Sequence, residues 1–537
     1  WIAMMIASLF VLLTGAKPSS VRALVSAGMG VVGRLRGVTV DPWVALAIAW
    51  LCLLVANPAL LGDPGFVLSF SSVAGILILS RPLFLPKTAN LTFWEAARRQ
   101  VWNALALTLG AQMGTVPACA YYFNSLSLTA PASNLLGVPL ATLALLGGLG
   151  ACLVESVRLL LMSWGGVWSA VSSVWLVQAA GKSLFWVAGM AAGGLLQIGR
   201  RLGEQPWAAV EVAAPGWGTI LSWVAFMICL SYVAQARRLP RVGRTLALRQ
   251  ASMWGLLALS AGALIVWLHM WPLGGRHLTV IFFDVGQGDA FLIQAPGGRA
   301  VLVDAGGRSW SWDASQILVP QLKRLGVREL TAVVSTHPHA DHLGGMAGVI
   351  AERPVLWAWD TGHGVDTVTY ADYQRELTQR NIEVRRARAG DVLHLGNVEL
   401  QVLWPPADIE ASHDANFNSI VLRVKYGQVY LLLTADAPVE VQQALLLGES
   451  PIEAVVWKVS HQGARSSFSP AFVEAVNPRV SVISVGPNNY GHPAPEVVDF
   501  LEGTGVVCRT DLHGAIRFVT NGKSWWIRGT HGSACRG

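Results

Sequence analysis

The run His337-Pro338-His339-Ala340-Asp341-His342-Leu343-Gly344-Gly345 places three imidazoles and a carboxylate within six residues. It follows the apolar stretch 332–334, Pro338 stiffens the turn, and the glycines after it let the backbone approach closely. Neutral imidazole and carboxylate are preferred ligands of zinc and manganese. Four such groups on one turn leaving a strand can converge on one point, so the run reads as a metal-binding turn. Two further candidates lie downstream. Asp436 follows the apolar segment 429–433, and His461 follows the apolar segment 452–459.

These residues need a rigid frame, and the second half of the chain supplies one. Residues 279–283, 300–303, 331–335, 419–424, 429–433, 452–459 and 480–485 form short β-branched runs bounded by Gly, Asp and Pro, the pattern of strands. Residues 315–325, 345–351, 370–380, 438–447 and 470–475 carry helical periodicity between them. The alternation predicts an α/β layered domain over residues 276–537.

The first half is written for a different solvent. Of 537 residues only 13% are charged and 53% are hydrophobic, against about 25% charged in an ordinary soluble domain. The net charge of +7 divides unevenly. Residues 1–275 hold 17 basic and 6 acidic side chains, a net of +11, while residues 276–537 are net −4. A DNA partner therefore cannot be argued from overall charge. Apolar runs at 43–61, 101–120, 135–154, 174–196, 217–233 and 253–271 approach the roughly 20 residues that cross a bilayer, and 66–79 is shorter. This predicts a transmembrane domain over residues 1–275, with about seven helices and a clipped one at Ile2. Trp1 opens directly into that run without a charged segment, so the chain reads as a fragment rather than as a start with a signal peptide. Arg81, Lys87, Arg98 and Arg99, and then Arg237, Arg238, Arg241, Arg244 and Arg249, mark cytoplasmic loops. The domain 276–537 then lies on the non-cytoplasmic side. A Cys508–Cys535 bridge is open to it if that side is oxidising.

The metal-binding turn, HxHxDH, resembles the signature of the metallo-β-lactamase superfamily. Its surroundings are more particular. Phe283-Asp-Val-Gly-Gln-Gly-Asp-Ala290, Val303-Asp304-Ala-Gly306, Asn416-Phe-Asn418, Leu433-Thr-Ala-Asp436, Lys458-Val-Ser-His461 and Tyr490-Gly-His492-Pro493 occur in the order seen in the ComEC family of DNA-internalisation competence proteins. Asp63-Pro-Gly-Phe66, Gln112 to Pro117 and Asn134-Leu-Leu-Gly-Val-Pro139 resemble that family's membrane domain. The resemblance implies a polytopic α-helical membrane domain followed by an α/β metallo-β-lactamase-like αββα sandwich. The family's first helices and an OB-like domain would lie upstream of Trp1.

Carried over by position, it implies two divalent ions, manganese or zinc. His337 and His339 would hold one, Asp341 and His342 the second, with Asp436 bridging and His461 closing the second site. Such a pair would generate hydroxide and clamp a phosphodiester. Asp341 and His492 are the catalytic candidates; His492 could bind metal, protonate a leaving group or contact phosphate, or simply be a loop histidine bonded to backbone. Asp304, Asn418 and Lys458 are candidate supporting residues or ligands, and Lys458 and Arg465 are candidate DNA contacts. Asp284 and Asp289 are expected to organise the Gly-rich turn, while His363, His394, His513 and His531 are expected at the surface. Gln462 and Ala464 depart from the family, which carries a second His and a Ser there, and no third imidazole for the first ion is evident beyond His413.

The function implied is passage of single-stranded DNA across the cytoplasmic (inner) membrane in natural transformation, with an outer nuclease degrading the other strand. Implied partners are DNA, the lipid bilayer, a DNA receptor and a cytoplasmic helicase or ATPase; a homo-oligomer is compatible. The chain has no phosphate-binding Gly-x-x-x-x-Gly-Lys loop, so ATP use falls to a partner. The alternatives are a channel whose outer domain binds DNA without turnover, and a membrane-tethered hydrolase of another ester or lactam.

Overall fold

The computed structural model describes residues 2–80, 92–163, 175–205, 207–236, 277–309, 311–407, 414–448, 451–531 and 535, with short pieces between 253 and 264. Two compact units emerge, Trp1–Trp267 and Leu268–Gly537.

The first unit is helical. Asp41 opens the helix Pro42–Ala56 by accepting a hydrogen bond from the Trp43 amide (2.7 Å), and Asp63 opens Pro64–Gly75 in the same way through Phe66. Both helices carry proline in their first turn, where its missing amide proton costs nothing. Thr92 and Glu95 form a reciprocal capping box at the start of Phe93–Phe123. Long helices follow at Ala130–Ser163, Trp175–Gly203 and Trp217–Ala236. Pro117 and Pro139 lie inside two of these without ending them. The helix Pro64–Gly75 rests on Phe93–Phe123 so closely that a Cβ on Gly114 would enter the Ser71 carbonyl, the small-residue packing expected of helices in lipid. A two-stranded ribbon, Ser125–Ser127 (β1) against Ala209–Glu211 (β2), ties the connections together.

Among the described residues, two helices are long and apolar enough to cross a membrane, Ala130–Leu160 and Val177–Gly203. Their large side chains face outward: Leu146, Phe185 and Leu196 are 62%, 72% and 74% exposed, a surface that water does not tolerate over such an area. Of the other expected spans, 101–120 lies within the 31-residue helix Phe93–Phe123, while Pro42–Ala56, Pro64–Leu79 and Trp217–Val233 are shorter apolar helices. The arginine-rich loop 237–250 and most of 253–271 lie outside the described residues.

The second unit is built on fifteen described strands: Leu278–Phe282 (β3), Phe291–Gln294 (β4), Ala300–Val303 (β5), Leu330–Val334 (β6), Val355–Asp360 (β7), Glu383–Arg386 (β8), Val392–Leu395 (β9), Val398–Trp404 (β10), Val421–Tyr426 (β11), Val429–Leu433 (β12), Val456–Lys458 (β13), Val480–Ile483 (β14), Val506–Arg509 (β15), Ile516–Thr520 (β16) and Trp525–Gly529 (β17). They form an eight-stranded sheet in the order β17-β16-β3-β4-β5-β6-β7-β8 and a seven-stranded sheet in the order β15-β14-β13-β12-β11-β10-β9.

Side chains alternate across each strand, and the cores follow that alternation. Val280, Phe282, Phe291, Ile293, Val301 and Val303 meet Leu431, Leu433, Val456 and Val480 in one core between the sheets. Ile281, Leu292 and Leu302 face the other way, against helices Ser315–Arg324, Met346–Glu352 and Val368–Gln379. Leu432 and Trp457 likewise pack on helices Val439–Leu447, Pro470–Val476 and Pro495–Thr504. The result is four layers, αββα. Strands buried on both faces can read as unbroken apolar runs, as β5 and β12 do, but the buried β4 was not read as a strand.

Candidate metal centre

The candidate residues gather at the carboxyl ends of parallel strands in both sheets. β5 and β6 are parallel neighbours, as are β12, β13 and β14. Chains leaving such ends diverge and leave a crevice, the usual place for a ligand in parallel sheets. Asp304 follows β5, His337 follows β6, Asp436 follows β12 and His461 follows β13. Four non-glycine residues there have left-handed backbone, Asp304 (φ 55°), Ala435 (44°), His461 (48°) and Gln462 (49°). Each such residue costs roughly 1–3 kcal/mol and persists where its surroundings fix it. The paired turn at His461 and Gln462 directs both side chains at Asp436.

Asp304 organises the histidines. Its Oδ1 accepts from the Thr336 amide (2.8 Å), and its Oδ2 accepts from the Thr336 hydroxyl (2.6 Å) and from His342 Nδ1 (2.8 Å). Thr336 Oγ1 lies 3.1 Å from His337 Nδ1, so this ring donates there and turns its Nε2 lone pair inward. That Nε2 is buried, has no hydrogen-bond partner among the described residues and stands 4.0 Å from Asp436 Oδ2. The His339 ring is 4.8 Å from the His337 ring. His342 Nε2 lies 3.2 Å from Asp436 Oδ2 and 3.8 Å from Asp341 Oδ2. His461 Nε2 lies 3.6 Å from Asp436 Oδ2, while its Nδ1 is 3.2 Å from Ser467 Oγ. The His492 ring is 5.4 Å from the His461 ring. His339, Asp341, Asp436, His461, Gln462 and His492 line one open cavity.

Burial, with His342 beside it, holds the His337 imidazole well below its usual pKa, so it is neutral. Burial would raise Asp436, but His342 and Lys458 outweigh it and keep the carboxylate ionised. Burial would also lower His342; Asp436, Asp341 and Asp304 outweigh that and hold it well above its ordinary value. Burial and the neighbouring His461 lower His492.

The structure thus brings His337, His339, Asp341, His342, Asp436 and His461 to one point, with His492 at its rim and Asp304 behind. Among the described residues, His337, His342 and Asp436 form one group able to hold a metal, and Asp289, Asp304 and His342 a second. A buried imidazole nitrogen without a partner, facing a buried carboxylate, fits a divalent ion.

Several expectations are corrected. Lys458 is wholly buried, paired with Asp289 and donating to the Ala435 carbonyl (3.0 Å), so it cannot reach DNA. Arg465 is exposed but paired with Glu496. Asp284 does accept from the Gly286 amide (3.4 Å), whereas Asp289 is a buried counter-ion whose pKa desolvation pushes up to about 7 against the pull of Lys458. Asn416 lines the cavity, whereas Asn418 is buried with its Oδ1 unpartnered and outside that lining. His394 and His531 are exposed, but His363 and His513 are half-buried. Cys508 and Cys535 form a disulfide, with Cα atoms 5.2 Å apart. His413 lies outside the described residues. Thr336, Ser467 and Gln287 went unread in the sequence; Thr336 adjoins His337, but nothing in spacing marks the other two.

Comparison with known proteins agrees with both units. Residues 1–237 match the family model of the competence protein, and residues 283–486 match that of the metallo-β-lactamase superfamily. ComE operon protein 3 of Bacillus subtilis (strain 168) is 26% identical over 525 residues, 95% of this chain and 62% of that protein. Competence protein ComA of Neisseria gonorrhoeae is 27% identical over 516 residues, 89% of this chain and 58% of that one. The chain therefore spans less than two thirds of either relative. The metallo-β-lactamase fold protein YhfI from Bacillus subtilis aligns at 10% identity and a TM-score of 0.30, covering 47% of this chain and 99% of that one. Residues 1–237 are thus similar to the competence-protein family, and residues 283–486 to the metallo-β-lactamase superfamily.

Proposed function

We propose that the chain is the membrane channel of DNA uptake in natural transformation, passing single-stranded DNA across the cytoplasmic membrane. Its second unit is a metal-dependent phosphodiesterase on the non-cytoplasmic side that degrades the strand left outside. The competence-domain match supports the first half of this reading. One observation carries the second: the buried, unpartnered Nε2 of His337 opposite the ionised Asp436.

His337, His339, Asp341, His342, Asp436 and His461 would hold the divalent metal, manganese or zinc. When bound, such an ion activates water and neutralises phosphate charge. The remaining chemistry belongs to the chain. Asp304 and Thr336 fix the rings of His337 and His342 through hydrogen bonds, so the donor atoms are set before any ligand arrives. His492 opens onto the same cavity and is neutral at pH 7, because its pKa is lowered; in that form it accepts a proton or a hydrogen bond from a substrate group. With a net charge of −4, the unit leaves the bound ion to attract DNA.

The partners this reading requires are a DNA receptor outside and a helicase or ATPase inside. Its test uses the full chain in detergent with manganese and labelled DNA. His337→Ala and Asp436→Ala should each reduce cleavage to the buffer background, and unchanged cleavage would overturn the site. DNA uptake retained in cells carrying His337→Ala, with cleavage lost, would separate channel from enzyme.

A further inference from the structure

The pair of ions expected from the sequence meets an obstacle at Gln462. This side chain is 1% exposed and sits on a left-handed turn (φ 49°) that carries it into the candidate centre. Its amide nitrogen lies 3.1 and 3.4 Å from the two carboxylate oxygens of Asp436 and 3.3 Å from Nε2 of His342. Those are donor atoms that a second ion would need.

The amide is oriented by its neighbours. A carboxylate has no proton to give, so the –NH2 end, and not the carbonyl, must face Asp436. The other end is held from outside. Gln287 Oε1 accepts from the Gly486 amide (3.3 Å), which turns Gln287 Nε2 toward Gln462 Oε1 at 3.5 Å. Gly486 is itself pressed against Gly286, where a Cβ would collide with backbone, so Gln287 is anchored. The chain Gly486, Gln287, Gln462, Asp436 runs in one donor-to-acceptor direction. An amide nitrogen has no lone pair to offer a cation; it offers protons. His342 Nε2 is engaged whichever proton form the ring takes, as donor to Asp436 or as acceptor from the amide.

The two halves of the centre therefore differ. His337 Nε2 is buried without a partner, and His461 has its Nδ1 settled on Ser467 and its Nε2 directed at Asp436. His342 Nε2 and the inner edge of Asp436 are already satisfied by Gln462. We propose that the Gln462 carboxamide occupies the place of the second ion, so that the centre is mononuclear, with its one divalent ion at the unpartnered His337 Nε2 and Asp436. Gln287 is the positioning residue that keeps the amide nitrogen inward.

This inference rests on the metal-dependent reading of the same site, and counting ions separates the two. The full-length chain in detergent, stripped with chelator, reloaded with zinc or manganese and freed of excess ion, is assayed by elemental analysis. One equivalent is expected, and the manganese form should give the six-line electron paramagnetic resonance spectrum of an isolated ion. Gln462→His replaces the amide with an imidazole ligand and should double the count to two, with the manganese signal broadened by exchange coupling. Gln462→Ala opens the position without supplying a ligand and should admit a second equivalent more weakly. Two coupled ions in the unaltered chain would overturn the inference while leaving the metal reading intact. No bound ion in the unaltered chain would overturn both. A count that stays at one in both Gln462 variants would show that the amide is not what closes the position, and would also overturn it.

Discussion

Lys458 sits wholly buried between two carboxylates, ion-paired with Asp289 and with its Nζ 3.8 Å from Asp436 Oδ1. The sequence left two roles open for it, a supporting residue or ligand at the centre and a DNA contact, and burial removes the second. Its burial follows from register: Lys458 is the last residue of β13, opposite Leu433 of β12 and Val482 of β14, and its side chain points into the space between the sheets. The histidine run was legible for the opposite reason, because its chemistry is local and its spacing alone brings the donors to one turn. Removing one member of a buried ion pair leaves an uncompensated charge, at a cost of about 3–5 kcal/mol. Lys458→Met should lower stability by less than that at pH 7, because Asp289, already raised to about 7, takes up a proton once the lysine is gone. Lys458→Met combined with Asp289→Leu should recover much of it, since the orphaned carboxylate goes too. Chemical denaturation of the four chains of this cycle measures the coupling, and a double variant no more stable than Lys458→Met would refute the charge-pair account.

At the scale of elements, interior strands such as β5, β6, β12 and β14 were readable, whereas β4, β7, β10 and β16, interior as well, went unread along with the edges. Residues 300–303 and 429–433 coincide with β5 and β12, because interior strands are apolar on both faces. β8, Glu383–Arg386, is exposed at every residue and lies at a sheet edge, so neither alternation nor hydrophobicity marks it. β13 is shorter than the apolar run 452–459, since residues 452 and 454 pack against the helical layer before the strand begins. The Gly-rich turn 284–290 announced a close approach without saying to what. Its partner is the metal-binding turn itself: the Asp289 amide donates to the Asp341 carbonyl (3.2 Å), and a Cβ on Gly288 would run into that same oxygen. Gly288 also has φ 118°, outside the reach of ordinary side chains. Gly288→Ala should therefore cost about 1–3 kcal/mol in strain and displace Asp341 and His342 from their positions. The expected result is a lower melting temperature together with weaker metal retention on dialysis. Full retention at unchanged stability would show that the two turns are not mechanically linked.

On the scale of the whole chain, composition separated two solvents, and the two units follow that separation. The basic excess belongs to the helical half and the unit carrying the candidate centre is acidic. What composition left open is which side of the membrane the acidic unit faces. Two features of different origin point the same way. The arginines at 237–249, read by the positive-inside rule, would put that loop in the cytoplasm, and one further crossing, expected from the sequence, would put the second unit outside. The Cys508–Cys535 disulfide joins the end region of the chain to β15 across 27 residues, and such bonds persist in oxidising compartments. The four free cysteines all lie in the helical half. Alkaline phosphatase, which needs its own disulfides, should be active when fused after Gly537, and a green fluorescent protein fused at the same place and exported unfolded should be dark. Acidic-unit peptides released by protease from intact spheroplasts would agree with that pattern. A dark phosphatase with a bright fluorescent fusion would instead place the metal centre in the cytoplasm, where it could meet only the strand already imported.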